Sequence, residues 1–213
     1  MYADIWHGYV FPYCRAYAPV LRLVCRDWSE FTNHQTKGSL VRIAHEGHFP
    51  LVQWVHGTAN RPLSSWNQYA LLLVLIACVE AGHIEHVRTC ISWICVDSAC
   101  FDTDTISRLA CASGWSGSED VVREIDAWIM QQQNHIIRGS AASTEEFRKR
   151  VWAREHGGPL ISGATRGHAH LLPVCAQLDG ASYIHFAMAF NIAKERHHEN
   201  FVALCSQYMT HME

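Results

Sequence analysis

Val79-Glu80-Ala81-Gly82-His83-Ile84-Glu85-His86-Val87-Arg88 is the stretch on which the fold of this chain turns. Small and apolar residues lead into Gly82, which takes a positive φ just past a helix end at little steric cost. A polar residue follows, then Glu85 in a first turn, where a carboxylate suits the positive end of a helix. Val87 and Cys90 continue at helical spacing. The stretch therefore predicts a helix, a tight corner and a second helix.

Four other stretches repeat the pattern, around Gly47, Gly117, Gly167 and His197. The five corners are 35, 35, 50 and 30 residues apart. Before them stand Ala44, Ala77 with Cys78, Ala110 to Ala112, Gly163 with Ala164, and Ala193. Small side chains there let one helix pack closely on the next. Five residues past each corner stand Val52, Val87, Val122, Leu172 and Val202; eight past stand Val55, Cys90, Ile125, Cys175 and Cys205. Repeated corners with small residues before and branched apolar residues after predict an all-α chain of stacked helix-turn-helix units.

Ala81-Gly82-His83-Ile84-Glu85-His86-Val87 and Glu46-Gly47-His48-Phe49-Pro50-Leu51-Val52 carry a family resemblance. The pattern resembles ankyrin repeats, in the loosely written form found in large DNA viruses of protists. The first two spacings lie near the period of about 33 residues of that family. The resemblance spans residues 38–213 and implies about five degenerate units in a solenoid, with an insertion near 131–158. No unit carries the Thr-Pro-Leu-His opening of the usual repeat.

Residues 1–32 do not follow the repeat. Ile5-Trp6 and the run Leu21-Arg22-Leu23-Val24-Cys25-Arg26-Asp27-Trp28 resemble an F-box, without its Leu-Pro opening. That resemblance implies a compact helical segment in which Ile5, Trp6, Leu21, Leu23, Val24, Cys25 and Trp28 dock on a Skp-type adaptor of a cullin ubiquitin ligase, while the array behind holds a target. The same helices would also serve as a cap for the open end of a solenoid, since terminal repeats need a shield.

Composition narrows the function. Of 213 residues, 49% are hydrophobic and 17% charged, enough to fill a core. A net charge of −3 argues against a general nucleic-acid binder. The longest apolar run, Tyr69 to Val79, is about half the ~20 residues of a membrane span, so it reads as a buried helix. Met1-Tyr2-Ala3-Asp4 has no basic region before an apolar stretch. This predicts a cytoplasmic or nuclear protein that is not secreted.

Nine cysteines occur without a single CxxC, and several fall in apolar helical stripes, which predicts buried free thiols and no structural zinc. Fifteen histidines occur, many just after a corner, where an imidazole can bond backbone groups; no HExxH is present. Neither a nucleophile elbow nor a phosphate-binding glycine loop appears. The expectation is a protein-binding module with no catalytic residues, cofactor or metal. Trp54, Trp93 and Trp128 are expected in the core and Trp66, Trp115 and Trp152 near loops. Gln131 to Asn134 reads as the start of a loop, a helix should begin near Ser143, and Gly157-Gly158-Pro159 should end it.

Overall fold

The computed structural model describes residues 36–50, 52–53, 68–94, 103–136, 158–178 and 182–211. Regular structure among them is entirely helical, with no strand. The F-box-like candidates Ile5, Trp6, Leu21, Leu23, Val24, Cys25 and Trp28 lie outside the described residues, as do Trp54, Trp66 and Trp152. The chain divides between Ala81 and Gly82 into two compact units.

In the first unit, α1 (Thr36–His45) packs against α2 (Gln68–Glu80). The apolar run Tyr69 to Val79 lies within α2, and its Leu71, Leu72, Val74, Leu75, Cys78 and Val79 are buried. Helix α1 stops at Gly47, whose φ of 82° is left-handed. There the Gly47 N–H donates to the Ala44 carbonyl and the His48 N–H to the Ile43 carbonyl, at 3.2 and 3.0 Å. This paired bond satisfies carbonyls that the helix end would otherwise leave open. Phe49 and Val52 follow the corner and are buried, as are Ile43 and Ala44 before it.

The second unit contains α3 (Ile84–Trp93), α4 (Thr103–Ser116), α5 (Glu119–Ile136), α6 (Gly158–Arg166), a 3-10 turn (Ala169–Leu171), α7 (Leu172–Gln177), α8 (Tyr183–Glu195) and α9 (Glu199–Thr210). The helices that precede a corner, α4, α6 and α8, lie side by side in one row. Those that follow a corner, α3, α5, α7 and α9, form a second row. Their apolar stripes meet in one interior, which includes Ile106, Leu109, Val122, Ile125, Leu160, Leu172, Phe186 and Phe201.

Two expectations are corrected. Gln131 to Asn134 is not a loop: α5 runs through to Ile136, extending the helix by more than a turn past the buried Trp128 and Ile129. Gln is a good helix former, so a polar tract can continue a helix without an apolar face. Gly158 and Pro159 also start a helix, α6. Gly158 has φ 58°, and proline is tolerated in a first turn because its missing N–H has no intrahelical partner there. The helix that precedes the Gly167 corner is thus 158–166; the stretch 143–157 lies outside the described residues.

The row of α4, α6 and α8 depends on small residues. A Cβ on Gly114 would run into Ser162 Oγ and the Pro159 carbonyl, and would lie 2.6 Å from Pro159 Cα. The backbones of α4 and α6 therefore meet where one side chain is missing. Ser113 and Ser162 are buried there, and each donates its hydroxyl to a carbonyl of its own helix, Ala110 at 2.7 Å and Gly158 at 2.8 Å. Buried hydroxyls are thereby satisfied without holding the helices apart. Gly114→Ala is expected to cost about 3 kcal/mol, the upper part of the range for overpacking, because the obstacle is backbone. Chemical denaturation of the variant beside wild type measures it, and a loss under about 1 kcal/mol contradicts the close approach.

Candidate binding surface

The five predicted turn residues all lie in corners between helices, and all five are left-handed: Gly47 at φ 82°, Gly82 at 75°, Gly117 at 68°, Gly167 at 76° and His197 at 60°. The residue after each corner starts the next helix. Ser118 caps α5, accepting the Val121 N–H at 3.3 Å, with Glu119 and Asp120 in the first turn. After Gly167 the first turn tightens to a 3-10 turn. Pro173 has no N–H to donate to the Ala169 carbonyl, so the α-helix proper begins at Leu172.

Successive corners of the second unit touch. A Cβ on Gly117 would lie 2.9 Å from His168 Cε1, and one on Gly167 would lie 2.8 Å from His198 Nδ1. Each ring thus covers the preceding glycine. His168 Nε2 lies 3.3 Å from the Trp115 carbonyl and His198 Nε2 3.2 Å from the Thr165 carbonyl, two residues before the glycine that each ring covers. His170 adds a bond of 2.6 Å to the Gly117 carbonyl. Ser118 holds the matching place against Gly82, with its Cβ 3.9 Å from that position. The Gly117 and Gly167 corners are direct neighbours although they are 50 positions apart. Helix α5 follows the first of these corners and α6 precedes the second; residues 137–157 lie outside the described residues.

This ladder positions the surface. Among the described residues, the exposed large apolar side chains are Trp115, Tyr183, Ile184 and Met188. All four belong to helices that precede a corner. Trp115 stands two residues before Gly117; Met188 and Ile184 stand nine and thirteen before His197. At about 3.6 residues per turn, these offsets fall within about 40° of one another around a helix. In α1 and α2 the offset of six gives Val41 and Ile76, both partly exposed, and the offset of nine gives Leu73, also partly exposed. Helices that follow a corner instead expose Glu85, Arg88, Asp120, Arg123, Gln177, Asn200 and Gln207. Arg88 spans two of these, bonding Glu85 at 2.9 Å and Glu124 at 3.0 Å.

Ile184 and Met188, 68% and 42% exposed, were not picked out from the sequence, which drew attention to tryptophans. Counting back from each corner would have found them. Of the tryptophans, Trp115 is exposed, Trp128 is buried and Trp93 is intermediate.

The thiols and imidazoles suit packing. Cys78, Cys90, Cys111, Cys175 and Cys205 are buried and form no disulfide. Burial pushes the Cys175 thiol up to about 12 and those of Cys111 and Cys205 up to about 11, leaving almost no nucleophilic thiolate at neutral pH. Among the described residues, no group of three His, Cys, Asp or Glu side chains could hold a metal ion, and no helix is long and apolar enough to cross a membrane. Compared with known proteins, the chain matches no family model, no curated protein and no solved structure.

Two predictions follow the corners. Gly82→Ala meets only ordinary contacts and should cost about 1–2 kcal/mol, the left-handed penalty for a residue with a Cβ. Gly117→Ala and Gly167→Ala must also displace a histidine ring and should cost more; His197→Gly should gain up to about 1 kcal/mol. Denaturation midpoints of the four variants give the order, and equal costs at Gly82 and Gly167 contradict the ladder. The second concerns pH. Burial holds His86, His168 and His185 below the ordinary histidine value of 6.5. The unfolded chain therefore binds more protons just below that pH, so this stability is complete above it and is lost as pH falls through the lowered folded values. The melting temperature should fall between about pH 7 and pH 5.5, and less steeply in the double variant His86→Gln, His168→Gln.

Proposed function

We propose that this chain is a non-catalytic protein-binding module, a solenoid of degenerate ankyrin-like helix pairs that holds a protein partner on the face of the helices preceding each corner. The observation that carries the reading is the segregation of the four exposed large apolar side chains onto those helices, three of them at offsets two, nine and thirteen residues before a corner. Exposed aromatic and apolar groups concentrated on one face mark interaction sites, and isolated ones do not. A stack of helix pairs presents such positions as a row, which suits an extended partner. Raised thiol pKa values and the absence of a catalytic motif support binding over chemistry.

The F-box-like resemblance of 21–28 extends the proposal. The module would link its target to a Skp-type adaptor of a cullin ubiquitin ligase, working in the cytoplasm or nucleus. Without adaptor binding, the same array serves as a scaffold capped by its N-terminal helices.

A photo-crosslinking residue at position 184 should trap a protein partner in cells, and one at Ala203, on α9, should not. Ile184→Asp with Met188→Asp should abolish the complex and leave the unfolding free energy within about 1 kcal/mol of wild type, since both side chains are largely outside the core. Equal trapping at 184 and 203 overturns the choice of face. Co-purification with a Skp-type adaptor, lost in Leu23→Asp, tests the ligase reading; no co-purification of wild type beside a functional F-box leaves the scaffold.

A further inference from the structure

The first unit holds a groove of about 390 Å³ between the last turns of α1 and α2. Its apolar wall is Val41, Leu73, Ile76 and Ala77. Its polar rim is Arg42, His45, Glu46 and Glu80. The volume is at the small end of ligand sites, roughly 300–1,000 Å³, and suits one or two side chains.

The charges on the rim are unequally compensated. Arg42 Nε donates to Glu46 Oε1 at 2.7 Å, so these two neutralise each other. The hydrogen bond to Arg42 lowers the Glu46 pKa, and its counterpart raises that of Arg42. Glu80 takes part in no such pair. It is also the last residue of α2, where the terminal carbonyls carry partial negative charge. The last turn of α1 contains the basic residues Arg42 and His45, but the last turn of α2 contains none. A carboxylate and an unbalanced helix end thus give the same end of an apolar groove a negative field.

From this complementarity we infer that the groove takes a lysine or arginine side chain of the partner, with the aliphatic stem along Leu73 and Ile76 and the cationic head at Glu80. Long basic side chains commonly divide in this way between an apolar wall and a charged or wet rim. The inference rests on the reading of the pre-corner helices as protein-binding and names the chemistry that the pair in the first unit selects.

Methyl NMR of the full chain tests it, with Nα-acetyl-lysine methylamide as the probe. Nα-acetyl-norleucine methylamide serves as a comparator with an apolar stem and no charge, and Nα-acetyl-glutamate methylamide as an anionic one. The Val41, Leu73 and Ile76 methyl signals should shift saturably with the lysine probe. Norleucine should bind about twofold to fivefold more weakly, the range expected of one exposed charge pair, and glutamate should shift nothing. In Glu80→Gln the lysine probe should fall to the norleucine level. No saturable shift, equal affinity for lysine and norleucine, or unchanged lysine affinity in Glu80→Gln each overturns the inference. Selective trapping at position 184 without lysine binding defeats the groove alone, and lysine binding without selective trapping defeats the wider face.

Discussion

The second unit depends on a contact made twice: an imidazole laid over the bare Cα of the preceding corner. His168 covers Gly117 and His198 covers Gly167, and each ring bonds a carbonyl two residues upstream of the glycine it covers. The glycine meets two demands together. It permits the left-handed backbone that turns one helix into the next, and its missing side chain leaves room for the next unit's ring. A corner and its stacking site are thus one position, which ties the bend within a pair to the register between pairs. Ser118, smaller, takes the place against Gly82 and leaves a looser fit. His197, at a corner with no described unit beyond it, keeps the left-handed φ with a side chain attached.

With the corners fixed, helix separation follows from residue size. Gly114 against Pro159 and Ser162 brings α4 and α6 nearly backbone to backbone, and Ala189 and Ala193 are fully buried on α8 in the same row. Branched and aromatic side chains from the other row, such as Val122, Leu172 and Phe201, fill the interior from the opposite side. Each helix contacts chiefly its neighbours in the row and its own pair. An interior of this kind gains stability step by step along the chain instead of in one central cluster. The Gly117 and Gly167 corners touch in this way although they are 50 positions apart.

The sequence made the corners legible because the chemistry there has few solutions. A left-handed residue between two helices is usually glycine, and even His197 was found through the small Ala193 before it and the apolar spacing after it. The burial of Val87, Val122 and Leu172 at one offset, and of Cys90, Ile125, Cys175 and Cys205 at another, follows from the same spacing. Helix extents were less legible. Gln131 to Ile136 continues α5 with no apolar face to announce it, and Gly158-Pro159 reads equally as a stop or as a start. The candidate face was legible only in part. Trp115 stands out by residue type, but Ile184 and Met188 look like core residues until their distance from the corner is counted. The F-box-like positions lie outside the described residues, so that resemblance remains a matter of sequence.

Counting from the corner also separates positions that fold the chain from positions free to serve a partner. Offsets of four, five and eight after a corner are buried through most units, and the small residues three to seven before it are buried in each. Substitution there changes the stack itself. Offsets of two, nine and thirteen before a corner carry Trp115, Met188 and Ile184 in some units and Glu80, Arg108 and Asp104 in others, with little burial at stake. Packing does not choose between isoleucine and aspartate at such a place, and water favours the aspartate. On the proposed reading, large apolar groups at these positions are the ones a partner would cover, and this is the physical content of reading the helices before the corners as a surface that holds another protein.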